Sequence, residues 1–156
     1  MREEGIYINR WMAGSLICLI MIGVSCTGCL GANTPPVSRP VAPAVFVDYF
    51  RGGGIAGFDD RLVIFDNGAA IVSTKAGSMA IVLNATEIGT ISGLFAESQF
   101  SMLAANYPAP RGGNDLITYS ISYHGKTITA EDSAVPPSLL PVIDRMNTIV
   151  KNAGIP

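Results

Sequence analysis

The alternation of apolar and polar side chains is clearest between Leu116 and Tyr123. One face of this stretch would carry four large side chains and the other three hydroxyls, namely Ile117, Tyr119, Ile121 and Tyr123 against Thr118, Ser120 and Ser122. A period of two over this length is typical of a β-strand with one buried face. His124-Gly125 predicts a turn, and Lys126–Ala130 is the expected hairpin partner.

Three upstream runs are rich in β-branched and aromatic residues and also predict strands: Val45–Arg51, Arg61–Phe65 and Ala70–Thr74. Asp66-Asn67-Gly68 predicts a tight turn between the second and third, because Asn-Gly accepts the positive φ that such turns need. We expect Gly52-Gly53-Gly54 to end the first strand. Met79–Leu83 fits either a fourth short strand or the approach to a helix.

A period near 3.6 follows. Asn84 is a helix cap with Glu87 three residues later, and apolar residues then recur on one face until about Ser98, namely Ile88, Ile91, Leu94 and Phe95. Residues 99–114 are expected to form a loop. A second helix is predicted after Val135-Pro136-Pro137, running to about Asn152 with Pro141 in its first turn. Its buried stripe is Leu139, Ile143, Met146 and Val150.

This order of elements predicts an α+β fold. We expect an antiparallel sheet of about five strands with two helices packed on one face. The predicted domain covers residues 44–156.

The N-terminal segment has a different pattern. Residues 11–30 carry no charge and end in small residues around Cys26 and Cys29. An apolar run followed by small residues is the pattern of a secretory signal peptide. A cysteine after a small residue at its end resembles the lipobox of prokaryotic lipoproteins, with Cys29 the favoured lipidation and cleavage site and Cys26 the second choice. We therefore expect residues 1–28 to be a signal peptide. An uncleaved membrane anchor is the alternative, since the run is about long enough to span a bilayer.

Residues 29–43 are expected to link the lipid to the domain. Four prolines and small polar residues between Gly31 and Pro43 predict a semi-extended tether that buries no core. The protein would then be held on the extracytoplasmic face of the cell membrane, with the membrane as one partner through the lipid on Cys29.

Composition narrows the possible chemistry. The chain has 3 cysteines and a net charge of −2, and the cysteines all precede the tether, at Cys18, Cys26 and Cys29. The domain therefore has no possible disulfide and must be stabilised by its own core. No basic stripe supports nucleic-acid binding, and we expect neither a metal nor a cofactor.

The residues also give little support for catalysis. His124 is the only histidine, and it lies beside glycine in a predicted turn without a flanking nucleophile motif. The acidic pairs Asp59-Asp60 and Glu131-Asp132 lack the spaced ligands of a calcium loop, and we expect them to be solvated loop charges. We therefore expect a binding protein and not an enzyme.

The candidate binding segment follows the first predicted strand. Its residues are Arg51, Gly52, Gly53, Gly54, Ile55, Ala56, Gly57 and Phe58. Three glycines would expose the backbone to close approach by a partner. Ile55 and Phe58 would then present apolar side chains on a loop tip, which is typical of a partner contact.

Several segments together resemble the emfourin family, small proteins that inhibit protealysin-like, thermolysin-type zinc metallopeptidases. Residues 50–57 resemble that family's Arg-Ser-Gly-Gly-Phe-Ala-Gly opening, and residues 115–123 resemble its Asp-x-x-x-Tyr strand. Gly125–Asp132 is similar to the following strand and acidic turn. Residues 135–143 resemble the Pro-x-x-Leu-x-Pro-Leu start of its last helix. The chain departs from the pattern at Gly53 and Ile55 and in a longer segment around residues 75–79.

The resemblance implies an inhibitor of a secreted, thermolysin-type metallopeptidase, with residues 51–58 as the nominated contact. The lipid anchor is expected from the N-terminal segment alone and departs from that family, whose members are unlipidated. The alternative is a cell-surface structural or interaction lipoprotein that has the fold without a peptidase target. A rigid, protruding loop at residues 52–58 would favour the inhibitor, because a disordered loop loses affinity when it is ordered on binding.

Overall fold

The strand-forming runs make one seven-stranded sheet in the computed structural model, which describes residues 41–111, 113 and 115–155. The strands are β1 (Val45–Gly53), β2 (Phe58–Phe65), β3 (Ala69–Thr74), β4 (Gly77–Val82), β5 (Asn106–Tyr107), β6 (Ile117–Tyr123) and β7 (Lys126–Glu131). They lie in the order β4-β3-β2-β1-β6-β7-β5. All neighbours are antiparallel except β5 and β7, which are parallel.

This architecture confirms the mixed α+β class and the mostly antiparallel sheet, and it adds strands that the sequence did not resolve. Residues 77–82 are a strand, which decides between the two alternatives left open for Met79–Leu83. β5 lies inside the segment expected to be a loop and has only two residues. A strand this short carries no periodicity by which it could be recognised.

The first strand ends within the glycine triplet, at Gly53, and is therefore two residues longer than expected. Gly52 pairs with Asp59 and Thr118, and Gly53 pairs with Phe58 and Ile117. β1 thus extends two residues past Arg51 because strands on both sides supply partners for its backbone. Tertiary pairing overrides the low strand propensity of glycine.

Both predicted helices are present, as α1 (Ala85–Glu97) and α2 (Leu140–Asn152). The Asn84 side chain accepts a hydrogen bond of 2.9 Å from the Glu87 backbone N–H, as a cap residue should. The Glu87 carboxylate, however, pairs with Arg145 of α2 and so joins the two helices. Pro141 lies in the first turn of α2, after a 3₁₀ turn at Pro137–Leu139. Other 3₁₀ turns occur at Phe100–Met102 and Asp132–Ala134.

The core lies between one face of the sheet and the two helices. Its strand residues alternate with less buried ones and include Val47, Tyr49, Leu62, Ile64, Val72, Ile121 and Ile128. The helices contribute Ile91, Phe95, Val142, Ile143, Met146, Ile149 and Val150 to the same cluster. Fully burying one such side chain stabilises the fold by about 1.5–3 kcal/mol, so this single cluster is the main source of stability.

The opposite face of the sheet, called the outer face below, is more polar. Arg61 donates from Nε and Nη2 to the two carboxylate oxygens of Asp48, at 3.0 and 2.7 Å. Ser122 and Thr127 share a hydrogen bond of 2.8 Å across β6 and β7. A few apolar side chains, such as Ile71, remain substantially exposed there. This is the pattern of an antiparallel sheet with one face packed and one face in water.

Candidate functional site

The nominated segment forms the end of the β1–β2 hairpin. Gly54, Ile55, Ala56 and Gly57 make the connecting loop between the paired residues Gly53 and Phe58. The Gly57 N–H donates to the Gly54 carbonyl at 2.8 Å, and the Gly54 N–H donates to the Leu116 carbonyl at 3.1 Å. The loop is thus closed by its own hydrogen bond and fastened to the segment that precedes β6.

Ile55 is the outermost side chain of this loop. It is 90% exposed, and Ala56 beside it is exposed as well. An aliphatic side chain this exposed contributes almost no burial free energy to the fold. Its apolar surface is therefore available to a partner. The sequence correctly indicated Ile55 as an apolar residue on a loop tip.

The three glycines are required by close approaches within the chain itself. A Cβ on Gly52 would lie 2.6 Å from the Phe50 ring, and one on Gly53 would lie 2.6 Å from the Leu116 carbonyl oxygen. A Cβ on Gly54 would lie 2.7 Å from Ile117 Cγ1. Gly53 and Gly54 also have φ of 84° and 71°, which favour glycine. These contacts within the chain explain the triplet. The glycines were instead expected to let a partner approach the backbone closely.

Gly57 is constrained in a different way. Its φ is 60°, and a Cβ there would lie 2.8 Å from Lys75 Nζ. Lys75, from the β3–β4 turn, therefore places its ammonium group directly beside the loop backbone. No pattern in the sequence indicates this proximity, because it depends on how two separate turns meet at the same end of the sheet.

Arg51 and Phe58 support the loop and are not part of its tip. The Arg51 guanidinium lies 3.8 Å from the centre of the Phe58 ring, a cation–π geometry. Its Nε donates to Asp60 Oδ2 at 2.9 Å, and its Nη2 pairs with the same carboxylate. Phe58 is half-buried in consequence, so its expected exposure on the loop tip was wrong.

The expectation that Asp60 is a solvated loop charge was also wrong. Asp60 is only 8% exposed and lies directly opposite Arg51 in the β1–β2 register. A carboxylate this buried requires a charged partner to offset its loss of hydration. Asp59, on the other face of β2, is exposed as expected.

A polar groove adjoins Arg51, Phe58 and Asp60 on the helix side of the sheet. It encloses about 570 Å³, and α2 contributes Asp144, Asn147 and Lys151 to its wall. Asn147 Oδ1 accepts a 2.7 Å hydrogen bond from the hydroxyl of Tyr49. These α2 residues were not predicted to belong to a site. The sequence pattern identifies the buried stripe of the helix, and they lie on its polar face.

Tyr49 and Tyr119 stack beside this groove with ring centres 6.4 Å apart. Burial is the main influence on the Tyr49 hydroxyl and raises its pKa well above its ordinary value. Burial also raises the pKa of Tyr119. Both phenols are therefore neutral hydrogen-bonding groups at physiological pH and supply no charge to the groove.

His124 lies at the opposite end of the sheet from the loop. His124 and Gly125 have φ of 48° and 77°, the two positive values of a type I′ turn, which confirms the predicted β6–β7 hairpin. The imidazole contacts Tyr123 with ring centres 4.2 Å apart. It borders an apolar pocket of about 350 Å³ between Phe95, Phe100 and Tyr123.

Among residues 41–111, 113 and 115–155, no three His, Cys, Asp or Glu side chains come together as a potential metal site. Within the same ranges, no helix has the length and apolar character to cross a membrane. The predicted signal peptide, Cys29 and most of the predicted tether lie outside the described residues.

No protein-family model matches the sequence, and no curated protein shows significant similarity to it.

Proposed function

We propose that this protein is a membrane-anchored, extracytoplasmic binding protein that inhibits a thermolysin-type metallopeptidase through Arg51–Phe58. The observation that carries the proposal is the exposure of Ile55 on a loop that is closed by an internal hydrogen bond and joined to Leu116 by another. The resemblance to emfourins supplies the class of target.

The geometry of the loop supports tight binding. Because Gly54–Gly57 is already closed and fastened to Leu116, little conformational entropy is lost when a partner binds. Ile55 can then enter an apolar pocket of the peptidase and contribute about 1.5–3 kcal/mol of binding free energy. Arg51 and Phe58 pack against each other at the base of the loop and support it.

The anchoring part of the proposal depends on the sequence of the N-terminal segment. A lipid on Cys29 and the proline-rich tether would hold the domain near the membrane, where it could meet exported peptidases. The proposal requires no metal, cofactor or nucleic acid on this chain.

The test is an inhibition assay with the full-length chain in detergent. A panel of thermolysin-type peptidases cleaves a fluorogenic peptide, and the intact chain should slow at least one of them. Ile55→Asp should raise the inhibition constant by about 10- to 150-fold. This ratio corresponds to the free energy lost when Ile55 is no longer buried against the peptidase. Met102→Asp is the matched control, because Met102 is similarly exposed, at 81%, but lies outside the loop.

Two results would contradict the proposal. If the intact chain leaves the whole panel fully active, the alternative of a surface interaction lipoprotein without a peptidase target is favoured. Equal inhibition by the Ile55→Asp and Met102→Asp variants would instead place the contact elsewhere on the domain.

A further inference from the structure

Within the described part of the chain, no strand pairs with the outer side of β4, so this edge of the sheet has unpaired backbone groups. The Leu83 N–H donates to the Gly68 carbonyl at 2.9 Å, so the backbone hydrogen-bonding groups of Leu83 are directed toward the β3 side of the strand. Successive residues of a strand direct their backbone groups to alternate sides. Ser78, Ala80 and Val82 therefore direct their N–H and C=O groups away from β3, at the edge of the sheet. All three residues are exposed.

This edge lacks the features that usually prevent strand pairing. Residues 76–83 contain no charge and no proline, and Val82 is 83% exposed. Natural edge strands are commonly protected by lysine, proline, bulges or short length. The opposite edge has such protection, because β5 has two residues and Pro108 and Pro110 follow it. Only one of the two edges is thus suited to accept another strand.

We propose that β4 pairs with β4 of a second copy of this chain, antiparallel and about a two-fold axis at Ala80. In this register Ser78 lies opposite Val82 of the other copy, and Ala80 lies opposite its own equivalent. Every outward-facing backbone group of Ser78, Ala80 and Val82 then finds a partner. A shift by two residues in either direction would leave some of them unpaired.

A second copy fits this edge because an antiparallel strand is complementary to itself about a two-fold axis. The strand carries no charge that would repel its equivalent, and Ala80 places only a methyl group at the axis.

The two copies would share one continuous sheet with both helix layers on the same side. This pairing does not depend on peptidase inhibition, because Ile55 lies on the β1–β2 loop and not on β4. The Ile55→Asp variant should therefore still dimerise, and loss of inhibition would leave the dimer intact.

The test is disulfide cross-linking of the full-length chain in its native membranes under mild oxidation. Ala80→Cys should give a covalent dimer, because paired residues in this register have Cα atoms about 5.5 Å apart, within disulfide range. The unaltered chain sets the background from its native cysteines. Ser78→Cys alone should stay at background, because its two equivalents would be about 13 Å apart.

Co-expression of Ser78→Cys with Val82→Cys should restore the cross-link, since this register places those residues opposite each other. As a second measurement, Ala80→Pro should abolish co-purification of two differently tagged copies without unfolding the domain. The Ala80 N–H faces outward, so proline removes no bond to β3. Met79→Pro is the contrasting variant, because the Met79 N–H faces β3 and its loss should destabilise the domain itself.

Three outcomes would overturn the proposal. The first is an Ala80→Cys signal no higher than the background. The second is equal self-linking at Ser78, Ala80 and Val82, which would indicate unspecific aggregation. The third is a cross-link from Ala80→Cys to a different protein, which would show that the edge accepts another partner.

Discussion

At the scale of single residues, Gly53 of the β1–β2 hairpin and Gly125 of the β6–β7 hairpin separate two effects that are often combined. Gly53 has a positive φ of 84° and a close approach to the Leu116 carbonyl oxygen. Gly125 has a similar φ of 77°, but a Cβ there would meet no atom within 4 Å. Comparison of the two positions distinguishes backbone strain from steric exclusion.

We expect Gly125→Ala to lower the free energy of unfolding by about 1–2 kcal/mol, the cost of a left-handed conformation with a Cβ. Gly53→Ala should cost clearly more, because the Leu116 carbonyl is part of the backbone and cannot easily move aside. Urea denaturation of both variants measures the difference. Equal costs would mean that the backbone near Leu116 relaxes freely and that the loop is less firmly fastened than its contacts indicate.

Tyr49 provides a prediction in pH. Its pKa in the folded protein is raised by burial above the unfolded value near 10, so the folded state retains the phenol proton to higher pH. The resulting stabilisation is complete below pH ~10 and is lost as the pH rises beyond it. Tyr49→Phe should lose about 0.5–1.5 kcal/mol at pH 7 with its hydrogen bond to Asn147, yet show a smaller loss of stability in alkali.

Thermal unfolding between about pH 7 and 11 measures this effect. Tyr119→Phe is the companion variant, since its ring stacks on Tyr49 but Tyr119 is only partly buried. An unchanged alkaline decline in Tyr49→Phe would show that the Tyr49 proton does not contribute to it.

At the scale of elements, β1 and β2 carry an Arg–Asp pair on each face of the sheet. Arg51 and Asp60 lie on the core face with side-chain exposures of 18% and 11%. Arg61 and Asp48 lie on the outer face with 59% and 29%. The two pairs have the same residue types and lie on the same two strands. They differ mainly in that one is sheltered from water and the other is largely in water.

We expect Asp60→Asn to cost about 3 kcal/mol or more, because it leaves a sheltered guanidinium without its counter-charge. Asp48→Asn should cost less than about 1 kcal/mol, and 1 M NaCl should reduce that cost further, since salt screens exposed pairs. Chemical denaturation at low and high salt measures both. Similar costs for the two variants would contradict the role assigned to burial.

The elements also show which parts of the fold can be predicted from the sequence pattern. Both helices, the Asn84 cap and the β6–β7 hairpin were predicted, because each is encoded by residues close together in the chain. β5 and the extension of β1 through Gly53 were not, because each depends on distant strands. The same limit applies to the site. Ile55 could be identified on its loop, but the pairing of Arg51 with Asp60 and the contribution of α2 depend on packing.

At the scale of the whole molecule, the proposed membrane anchoring depends on the N-terminal segment. We expect mass spectrometry of the membrane-extracted protein to show a lipid-modified N-terminus at Cys29, because a small residue precedes this cysteine at the end of the apolar run. Cys29→Ser should remove the modification, whereas Cys26→Ser is the matched control and should keep it. An intact Met1 N-terminus would favour the uncleaved anchor.

The central position of β1 determines the order in which the molecule can be completed. β1 is the first strand of the domain, yet β6, its partner on one side, is formed near the C-terminal end of the chain. A chain emerging N-terminus first can fold β1–β4 early, because short turns join these strands. The other side of β1 must wait for β6, and such non-local pairing is slow. During that interval an interior strand is an open edge, and unpaired strand edges are where newly made chains aggregate.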